Sequence, residues 1–599
     1  MTTGTLTWHQ LRDLKLSEFE QAGDAWHQVS GRSDSDRVRV DRAMSAKLRE
    51  TQESESATAA VGRLQRLSRN FSYMHAECGL VRTALNGLAG DLAEPQRQLK
   101  HALADAAAQN LTVHEDGSVS YPAAEVADLT GAKKEAPGGM VKGSSRLPLE
   151  PPGFGPNGQS PVYPGYSGFK PLNPNALKAQ DVADRVARAV RSASEIDARY
   201  AKTLNGLKAE KGLDVTKATL KDVAGDTADV RSAAGRYLRD HVPMDKTPAE
   251  RRAWWDALPE EQRREYLDIA PDLIGAVDGI PAVARDEANR RYLPLLIDEL
   301  GRKDDGDSAT KLDALRMIRD KLNKPSDPPM FLLGIGDEGN GRAIVAYGNP
   351  DTSKNVSAYV PGLATTLDKE FVKDTMKRAK DTAVGARDVD PSSAAIVWLG
   401  YDAPNFAQVV STSNAEKGAP AYNAFMAGLE ATNQNKDPHL TAIGHSYGSL
   451  TVGTAARQSG GIPGVDDIVL LGSPGVGVDR AEDLGVGRGH VFVGAADNDP
   501  VTHLPKPAEA LAGLPLTGTT AAVVAPRLTD HLYFGQDPAS EGFGARRFRV
   551  DDGPAPALEL GGFDAHSQYF TPELDPESAN NIAQIVGGAP ENITTEEYR

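Results

Sequence analysis

The C-terminal half of the chain alternates short apolar runs with longer segments whose apolar residues recur at helical spacing. Eight apolar runs predict strands: residues 330–334, 342–347, 356–360, 394–399, 441–443, 468–471, 490–494 and 546–550. Between and after them, apolar positions spaced as on one helical face occur over 367–383, 422–429 and 578–586. Strands that alternate with helices predict a mostly parallel sheet with helices on both faces, over residues 327–599.

The N-terminal half has a different pattern, with apolar residues at alternating spacings of three and four. Two such seams run from Leu64 to Leu88 and from Val182 to Leu207, and they predict long helices packed as a hairpin or bundle. Residues 111–121 alternate apolar and polar positions around Asp116-Gly117, which is typical of a small β-hairpin.

The predicted domain map follows from these patterns and from one stretch rich in Gly and Pro. It consists of a helical hairpin at 1–130 that carries the β-hairpin, a linker at 131–175, a helical region and connector at 176–323, and an α/β domain at 327–599. A length of 599 residues agrees with about three domains.

Composition and charge narrow the classes of function. Hydrophobic residues make up 40% of the chain and charged residues 25%, as in soluble globular proteins. A net charge of −17 without a Lys/Arg block argues against a nucleic-acid partner. The single cysteine, Cys78, lies on the first seam and is interpreted as a packing residue, and neither a metal nor a cofactor is predicted.

The N-terminus shows no basic segment followed by an apolar one, and no run approaches the roughly 20 apolar residues of a membrane span. The default expectation is a cytoplasmic protein without a transmembrane segment.

The strongest chemical signal is the sequence Gly444-His445-Ser446-Tyr447-Gly448, between a predicted strand and a helix start. This G-x-S-x-G pattern in that setting predicts a nucleophile elbow, a sharp turn that exposes the serine hydroxyl at the C-terminal edge of a parallel sheet. Ser446 is therefore the candidate nucleophile, and the adjacent His445 is interpreted as structural.

A serine nucleophile needs a base and an acid from neighbouring loops. His566 follows the last predicted strand and precedes the last helix, which is the usual place of the base in such sheets; His503 and His531 are the alternatives. Two carboxylates, Asp497 and Asp499, follow the predicted strand 490–494, and either could serve as the acid.

Acyl transfer also needs backbone donors for an oxyanion. The expected donors are the amide of Tyr447 and that of Gly362 or Leu363, after the third predicted strand. Tyr401 and Asp402, which end the next strand, are expected to line the same cleft.

Six segments together resemble the actinobacterial α/β-hydrolase domain family, a lipase- and cutinase-like group. They are VSAYVPGL, IVWLGYDAP, TAIGHSYGS, LLGSPGV, DNDPV and DAHSQYF. The resemblance covers residues 327–599 and implies an α/β-hydrolase fold with a triad of Ser446, Asp499 and His566. Asp499 is favoured because Asp-Pro-Val after that strand matches lipases and cutinases, with Asp497 as the alternative. The resemblance supplies no specific substrate, and a small-molecule or lipid ester is the expected one.

The helical half is similar to the WXG-type helical-hairpin modules of substrates of actinobacterial type VII secretion. The similarity rests on the seams and on Trp26, although Gln28 replaces the expected glycine. It implies a helical protein partner for the N-terminal half, and export by a route without a signal peptide as the alternative to the cytoplasm.

Two hypotheses about function follow. The first is a serine hydrolase that cleaves carboxylic esters through an acyl-enzyme at Ser446. The second is a non-catalytic or secretion-associated interaction protein that uses the hydrolase fold as a scaffold.

Overall fold

A computed structural model of the protein describes residues 6–127, 133–144, 173–207, 215–504, 531–554 and 564–599. The chain divides into two compact units, Met1–Val242 and Pro243–Arg599. The predicted boundary near residue 325 therefore differs from this division, because the helices between 248 and 322 belong to the second unit.

The first unit is mainly helical. Its helices are α1 Trp8–Asp13, α2 Leu16–Arg39, α3 Lys47–Thr51, α4 Glu55–Ala108, α5 Pro174–Gly206 and α6 Lys217–His241, with a π-helical segment Val40–Ala46 between α2 and α3. Trp26 lies inside α2 with 41% of its surface exposed, and the helix continues through Gln28.

The buried stripe of α4 begins later than the predicted seam. Leu67 is 40% exposed, whereas Cys78 and Leu88 are buried. Beyond the predicted seam the same stripe continues through Leu99 to Ala106. The buried residues of this 54-residue helix thus lie mainly in its C-terminal part, and α2, α5 and α6 pack against it.

The predicted β-hairpin is confirmed, and further short strands follow it. The strands are β1 Thr112–Val113, β2 Val119–Tyr121, β3 Ala124–Ala127, β4 Lys133–Ala136 and β5 Gly139–Val141. The last two lie in the stretch that was predicted to be an irregular linker. They form strands there because β4 pairs with β3 and β5 pairs with β2. Residues 131–132 and 145–172 of that linker lie outside the described residues.

The second unit contains the large sheet and its helices. Its helices are α7 Pro248–Ala257, α8 Glu260–Ile269, α9 Pro271–Gly275, α10 Ala282–Leu300, α11 Gly306–Leu322, α12 Met376–Val389, α13 Ser413–Thr432, α14 Tyr447–Ala456, α15 Asp564–Ser567 and α16 Pro576–Val586. Its strands are β6 Met330–Gly336, β7 Arg342–Tyr347, β8 Asn355–Val360, β9 Ser393–Leu399, β10 His439–His445, β11 Val465–Leu471, β12 Val491–Gly494, β13 His531–Leu532, β14 Gly535–Gln536 and β15 Arg546–Arg547.

Eight of these strands form one sheet in the order β15-β12-β11-β10-β8-β9-β7-β6. The pairs from β15 to β9 are parallel, and β7 and β6 are antiparallel to their neighbours. Along β10, the adjacent residues Ala442 and Ile443 belong to different buried clusters, because successive side chains of a strand point to opposite faces. The predicted fold class, a mostly parallel sheet covered on both faces, is confirmed.

Helix α10 belongs to this unit because its polar side chains bind the backbone of β6. Asn289 Nδ2 donates to the Leu332 carbonyl at 2.9 Å, and the Asp286 carboxylate accepts from the Leu332 amide at 2.7 Å. The sequence pattern predicts that α10 is a helix but does not reveal its contact with β6. The predicted boundary near residue 325 therefore lies C-terminal to the observed division after Val242.

A group of buried carboxylates lies between α4 and α6 in the first unit. Glu77 and Asp226 are each 7% exposed, and no described residue hydrogen-bonds to Glu77 Oε1, Asp222 Oδ2 or Asp226 Oδ2. Burial, together with the charges of Asp226 and Asp222, raises the pKa of Glu77 to about 7. Burial and the charges of Asp222 and Asp229 raise the pKa of Asp226 to about 6.

We expect these carboxyls to make the first unit less stable as the pH rises. A raised pKa in the folded state means that the folded state holds the proton more tightly. The stabilisation is therefore complete below the ordinary value of 4.5 for Glu77 and is lost as the pH rises through about 7. Glu77→Gln removes this loss, so the variant should exceed the wild type at pH 8 by roughly 1–3 kcal/mol and match it at about pH 4.

The measurement is pulse proteolysis in urea, scored on peptides of α4, at both pH values. The control is Glu53→Gln in the connection between α3 and α4, where the side chain is exposed, and it should behave as the wild type at both pH values. A Glu77→Gln variant that is no more stable than the wild type at pH 8 would contradict the expected effect.

Candidate active site

Ser446 lies at the turn where β10 ends and α14 begins. Its backbone has φ 57° and ψ −131°, in the positive-φ region that residues other than glycine rarely adopt. Such a conformation costs about 1–3 kcal/mol and persists only where the surroundings impose it. Here the Ser446 amide donates to the Leu471 carbonyl of β11 at 2.9 Å, which holds the turn. The sequence prediction of a strand, a sharp turn and a helix around Ser446 is confirmed.

The second glycine of the pattern is required by close packing. A Cβ atom at Gly448 would lie 2.1 Å from the Val360 carbonyl oxygen of β8. Only glycine lets α14 pass this close to the neighbouring strand.

Asp499 and His566 meet next to this turn. His566 Nδ1 lies 2.9 Å from Asp499 Oδ2, and Asp499 has no exposed surface. A carboxylate can only accept hydrogen bonds, so Nδ1 carries the proton, and in the neutral ring Nε2 is the nitrogen without one. His566 and Ser446 line the same cavity, of about 310 Å³. Within the described residues, the Ser446 hydroxyl has no hydrogen-bond partner.

Two more groups donate to the Asp499 carboxylate. The Tyr569 hydroxyl donates to Oδ2 at 2.6 Å, and the Val501 amide donates to Oδ1 at 2.9 Å. Burial by itself would raise the pKa of Asp499, but the charge of His566 and these hydrogen bonds outweigh burial and lower it. Burial and the neighbouring charge of Asp499 raise the pKa of Tyr569 well above its ordinary value, so this hydroxyl remains a donor.

His445 contacts His566 from the other side. Its ring stacks on the ring of His566 with centroids 4.5 Å apart, and its Nε2 donates to the His566 carbonyl at 2.7 Å. Burial, and then the charges of His566 and Arg378, lower the pKa of His445 well below its ordinary value. His445 is thus a neutral side chain that orients the His566 segment, in line with its structural interpretation.

Gly472, which follows β11, approaches the pair more closely than any side chain would permit. A Cβ atom there would lie 2.6 Å from Asp499 Oδ2 and 2.8 Å from His566 Nδ1, and its φ is +51°. Neither Gly472 nor Tyr569 was singled out by sequence reasoning. Both lie inside segments that carry the family resemblance, LLGSPGV and DAHSQYF, and that is the signal that was available.

The predicted oxyanion donors lie beside the turn. A Cβ atom on Gly362 would be 2.6 Å from Ser446 Cβ and 2.9 Å from the Tyr447 nitrogen, so the loop after β8 touches the start of α14. Gly362 and Leu363 line the Ser446 cavity. Among the residues that the structure describes, neither the Tyr447 amide nor the Leu363 amide has an acceptor, so both remain available to a ligand.

Tyr401 and Asp402 occupy a different position from the expected one. They line a neighbouring cavity of about 590 Å³, which shares Ala364 with the Ser446 cavity. The Tyr401 hydroxyl donates to the Pro361 carbonyl at 2.7 Å, and Asp402 Oδ1 accepts from Arg342 Nη1 at 2.8 Å. These bonds turn both side chains away from Ser446, so Tyr401 supports the Pro361-Gly362 loop from behind.

The alternative site residues lie apart from the cavity. His503 is bonded to the Asp497 carbonyl at 2.9 Å, and His531 lies 3.9 Å from Asp479. Asp497 itself is 60% exposed at its side chain and accepts from Arg599 Nη2 at 2.9 Å. In the described part of the chain, none of these side chains lines the Ser446 cavity.

The described residues contain no group of three or more His, Cys, Asp or Glu side chains arranged to hold a metal ion. Nor does the described part of the chain include a helix with the length and apolar character needed to cross a bilayer.

Residues 337–509 match a family described as Alpha/beta hydrolase. Two relatives are uncharacterized proteins of Mycobacterium tuberculosis H37Rv. Rv0963c is 38% identical over 202 residues, covering 32% of this chain and 75% of the relative. Rv2079 is 28% identical over 448 residues, covering 68% of this chain, and the chain spans 66% of that relative. Among solved structures, an esterase of Pyrobaculum calidifontis aligns with 14% identity and a TM-score of 0.26, over 50% of this chain and 98% of the esterase.

The contact at Gly472 is testable by substitution. In Gly472→Ala, the new methyl group must push Asp499 and His566 apart, and displacements of about 1 Å at such sites cost roughly 100-fold in reactivity. We expect the rate at which a fluorophosphonate labels Ser446 to fall by at least that factor.

The matched control is Gly485→Ala. Gly485 has φ +83°, but a Cβ atom there would meet nothing within 4 Å. This variant carries the same kind of backbone strain, so its melting temperature should fall while its labelling rate stays that of the wild type. Equal labelling of the two variants would show that Gly472 does not constrain the pair.

Proposed function

Because the chain belongs to the alpha/beta hydrolase family, we propose that it hydrolyses carboxylic esters through an acyl-enzyme formed on Ser446. One observation carries the proposal. A serine held in a strained strand-to-helix turn shares a cavity with a histidine whose Nδ1 is bonded to a buried carboxylate. This is the arrangement that activates a hydroxyl group for attack on a carbonyl carbon.

In the first half of the reaction, Ser446 Oγ attacks the ester carbonyl and forms a C–O bond. His566 Nε2 accepts the hydroxyl proton, and the ring becomes positively charged. Asp499 stabilises that charge and keeps Nδ1 protonated. The tetrahedral intermediate then expels the alcohol oxygen, which takes the proton from Nε2 and leaves as the alcohol.

The carbonyl oxygen carries the negative charge of the intermediate. The amide of Tyr447 and that of Gly362 or Leu363 are the proposed donors to it, because both segments adjoin Ser446. Loss of one such donor typically costs 10²–10³ in kcat.

In the second half, water replaces the alcohol. His566 Nε2 takes a proton from the water as its oxygen attacks the acyl carbon, and then returns a proton to Ser446 Oγ as the acid leaves. The net change is one ester and one water converted to an alcohol and a carboxylic acid, without a redox step. The neutral His445 beside the base adds no competing charge during this cycle.

The test combines labelling with turnover of a short neutral ester. Wild-type protein should be labelled by a fluorophosphonate and should hydrolyse the ester, whereas Ser446→Ala should do neither. Asp499→Asn should keep its fold and lower kcat by roughly 10³ to 10⁴ with little change in KM, because the amide disturbs the tautomer of His566.

Asp497→Asn is the matched control, since it changes the other carboxylate of the same loop at an exposed position. Its kcat should stay within a few-fold of the wild type. If Asp497→Asn is the impaired variant, the acid is misassigned; if the wild type is neither labelled nor active, the scaffold hypothesis takes precedence.

The Tyr569 hydroxyl is the proposed positioning group for the acid. Tyr569→Phe keeps the buried ring but removes one donor from the Asp499 carboxylate, whose pKa should then rise toward its ordinary range. Asp499 can serve His566 only while it is ionised. At pH 7 the carboxylate stays ionised in both proteins, so kcat should fall there only by the roughly tenfold that one lost hydrogen bond is worth. The ratio of wild-type to variant kcat/KM should widen below about pH 5, where the destabilised carboxylate begins to take up a proton.

The control is Tyr422→Phe, which removes another buried hydroxyl that donates to the Ala358 carbonyl at 2.9 Å. This variant should lose stability without any change in the pH profile. An unchanged profile in Tyr569→Phe would limit Tyr569 to packing and to its bond with the Ala496 amide.

A further inference from the structure

One wall of the Ser446 cavity carries most of its charge. The wall is formed by the residues before α12, where the π-helical segment Phe371–Thr375 leads into the helix. Glu370 and Asp374 lie four residues apart on the same face of this wall, and both are exposed. Asp368 adds a third carboxylate, held by the Phe371 amide and the Thr366 hydroxyl at 2.8 Å each.

Arg378 is the only Lys or Arg among the described residues that line the cavity. Its Nη1 donates to the Tyr359 hydroxyl at 3.2 Å, and its guanidinium lies 6.0 Å from the centre of the Phe570 ring. Three carboxylates against one guanidinium give the lining a net charge of −2, with the histidines counted as neutral (1 − 3 = −2).

The lysines of the same segment do not offset this charge at the cavity. Lys369 pairs with Asp313 at 3.0 Å and Lys377 with Asp381 at 2.6 Å, while the exposed Lys373 is not part of the lining. The negative wall is therefore a local property of the cavity as well as a reflection of the net charge of the chain.

Two further features of the cavity support a ligand-binding role for this wall. Ser446 is only 5% exposed, its hydroxyl has no partner among the described residues, and it lines the same cavity. Phe406, another lining residue, is 71% exposed, which is unusual for a phenylalanine. An aromatic face beside carboxylates is the combination that attracts quaternary ammonium groups.

We propose that the Ser446 cavity selects esters that carry a positive charge over their neutral isosteres, and discriminates against anionic esters. The inference rests on the proposed hydrolase function and specifies its substrate class. Glu370 and Asp374 supply the attraction, and Phe406 supplies the aromatic contact. The reaction itself is unchanged, so the selectivity should appear as a ratio of kcat/KM values.

The experiment uses two matched pairs of short esters with the full-length protein. The first pair is the acetyl thioester of thiocholine and the isostere in which carbon replaces the quaternary nitrogen. The second pair carries the trimethylammonium group, or its carbon isostere, on the acyl side. An exposed carboxylate about 6 Å from the ligand charge should raise kcat/KM for the cationic ester roughly threefold over that of its neutral isostere. Two such carboxylates should therefore give a ratio of roughly tenfold at low salt in at least one pair. A carboxylate-bearing thioester should be the poorest substrate.

Salt and substitution then identify the source of the preference. The ratio should fall toward one at 1 M salt, where the Debye length is about 3 Å. It should fall roughly threefold in Glu370→Gln or Asp374→Asn, and further in the double variant. Asp388→Asn removes the same charge from an exposed position of α12 outside the cavity, and it should leave the ratio unchanged.

Each other outcome has a distinct meaning. If neutral esters are hydrolysed but neither pair shows a cationic preference, the proposed function stands and the charge selection is wrong. The charge selection is equally wrong if the anionic ester is preferred, in which case Arg378 would be the recruiting group. If Asp388→Asn changes the ratio as much as Asp374→Asn does, net charge and not this wall is responsible. If no ester is hydrolysed and Ser446 is not labelled, the proposed function itself is wrong.

Discussion

The Asp499 carboxylate has no exposed surface, so distant segments of the second unit must supply its hydrogen-bond donors. A buried charge without partners would cost several kcal/mol, so each of its oxygens must receive hydrogen bonds. One oxygen accepts from the Val501 amide within the same loop. The other accepts from His566 and Tyr569, which come from a segment about 70 residues further along the chain. This requirement joins the C-terminal segment to the end of β12 and aligns the imidazole ring that shares the cavity with Ser446.

A second constraint is the strained turn at Ser446, which depends on the neighbouring strands. β10 is paired on both sides, with β8 and β11, and the Ser446 amide bonds to the last residue of β11. The same parallel pairing brings the ends of β8, β10, β11 and β12 to one edge of the sheet. Each end contributes a different component: Gly362 and Leu363, Ser446, Gly472, and Asp499. The site therefore depends on the whole sheet edge, and a displacement of one strand end should also displace the residues that the other ends contribute.

The cavity at this sheet edge also carries charged side chains on one wall. The wall formed by Glu370 and Asp374 precedes α12, which packs against β9 and α16 and is thereby held in position. Neither carboxylate takes part in the proposed chemical steps. In the two proposals, reactivity resides in buried groups, whereas selectivity resides in exposed charges that are screened by solvent.

Much of this protein was determined by local sequence pattern alone. The period of the apolar residues identified the strands of the large sheet and the helices of the first unit, because burial of one face imposes that period. The elbow was recognisable because a sharp strand-to-helix turn needs glycine on both sides of the serine. The triad candidates followed from their position after predicted strands and from the family resemblance.

Tertiary structure decided what local pattern does not encode. The contact of Asn289 with β6 assigned α10 to the second unit, and the exposure of Leu67 showed that only part of the α4 seam is buried. Tyr401 bonds to a backbone carbonyl behind the loop and so lies outside the Ser446 cavity. Tyr569 lies in the site because the buried carboxylate of Asp499 needs a hydrogen-bond donor. Gly472 lies there because only glycine can approach Asp499 and His566 this closely. Such requirements depend on which groups share a low-dielectric interior, and only the folded chain brings those groups together.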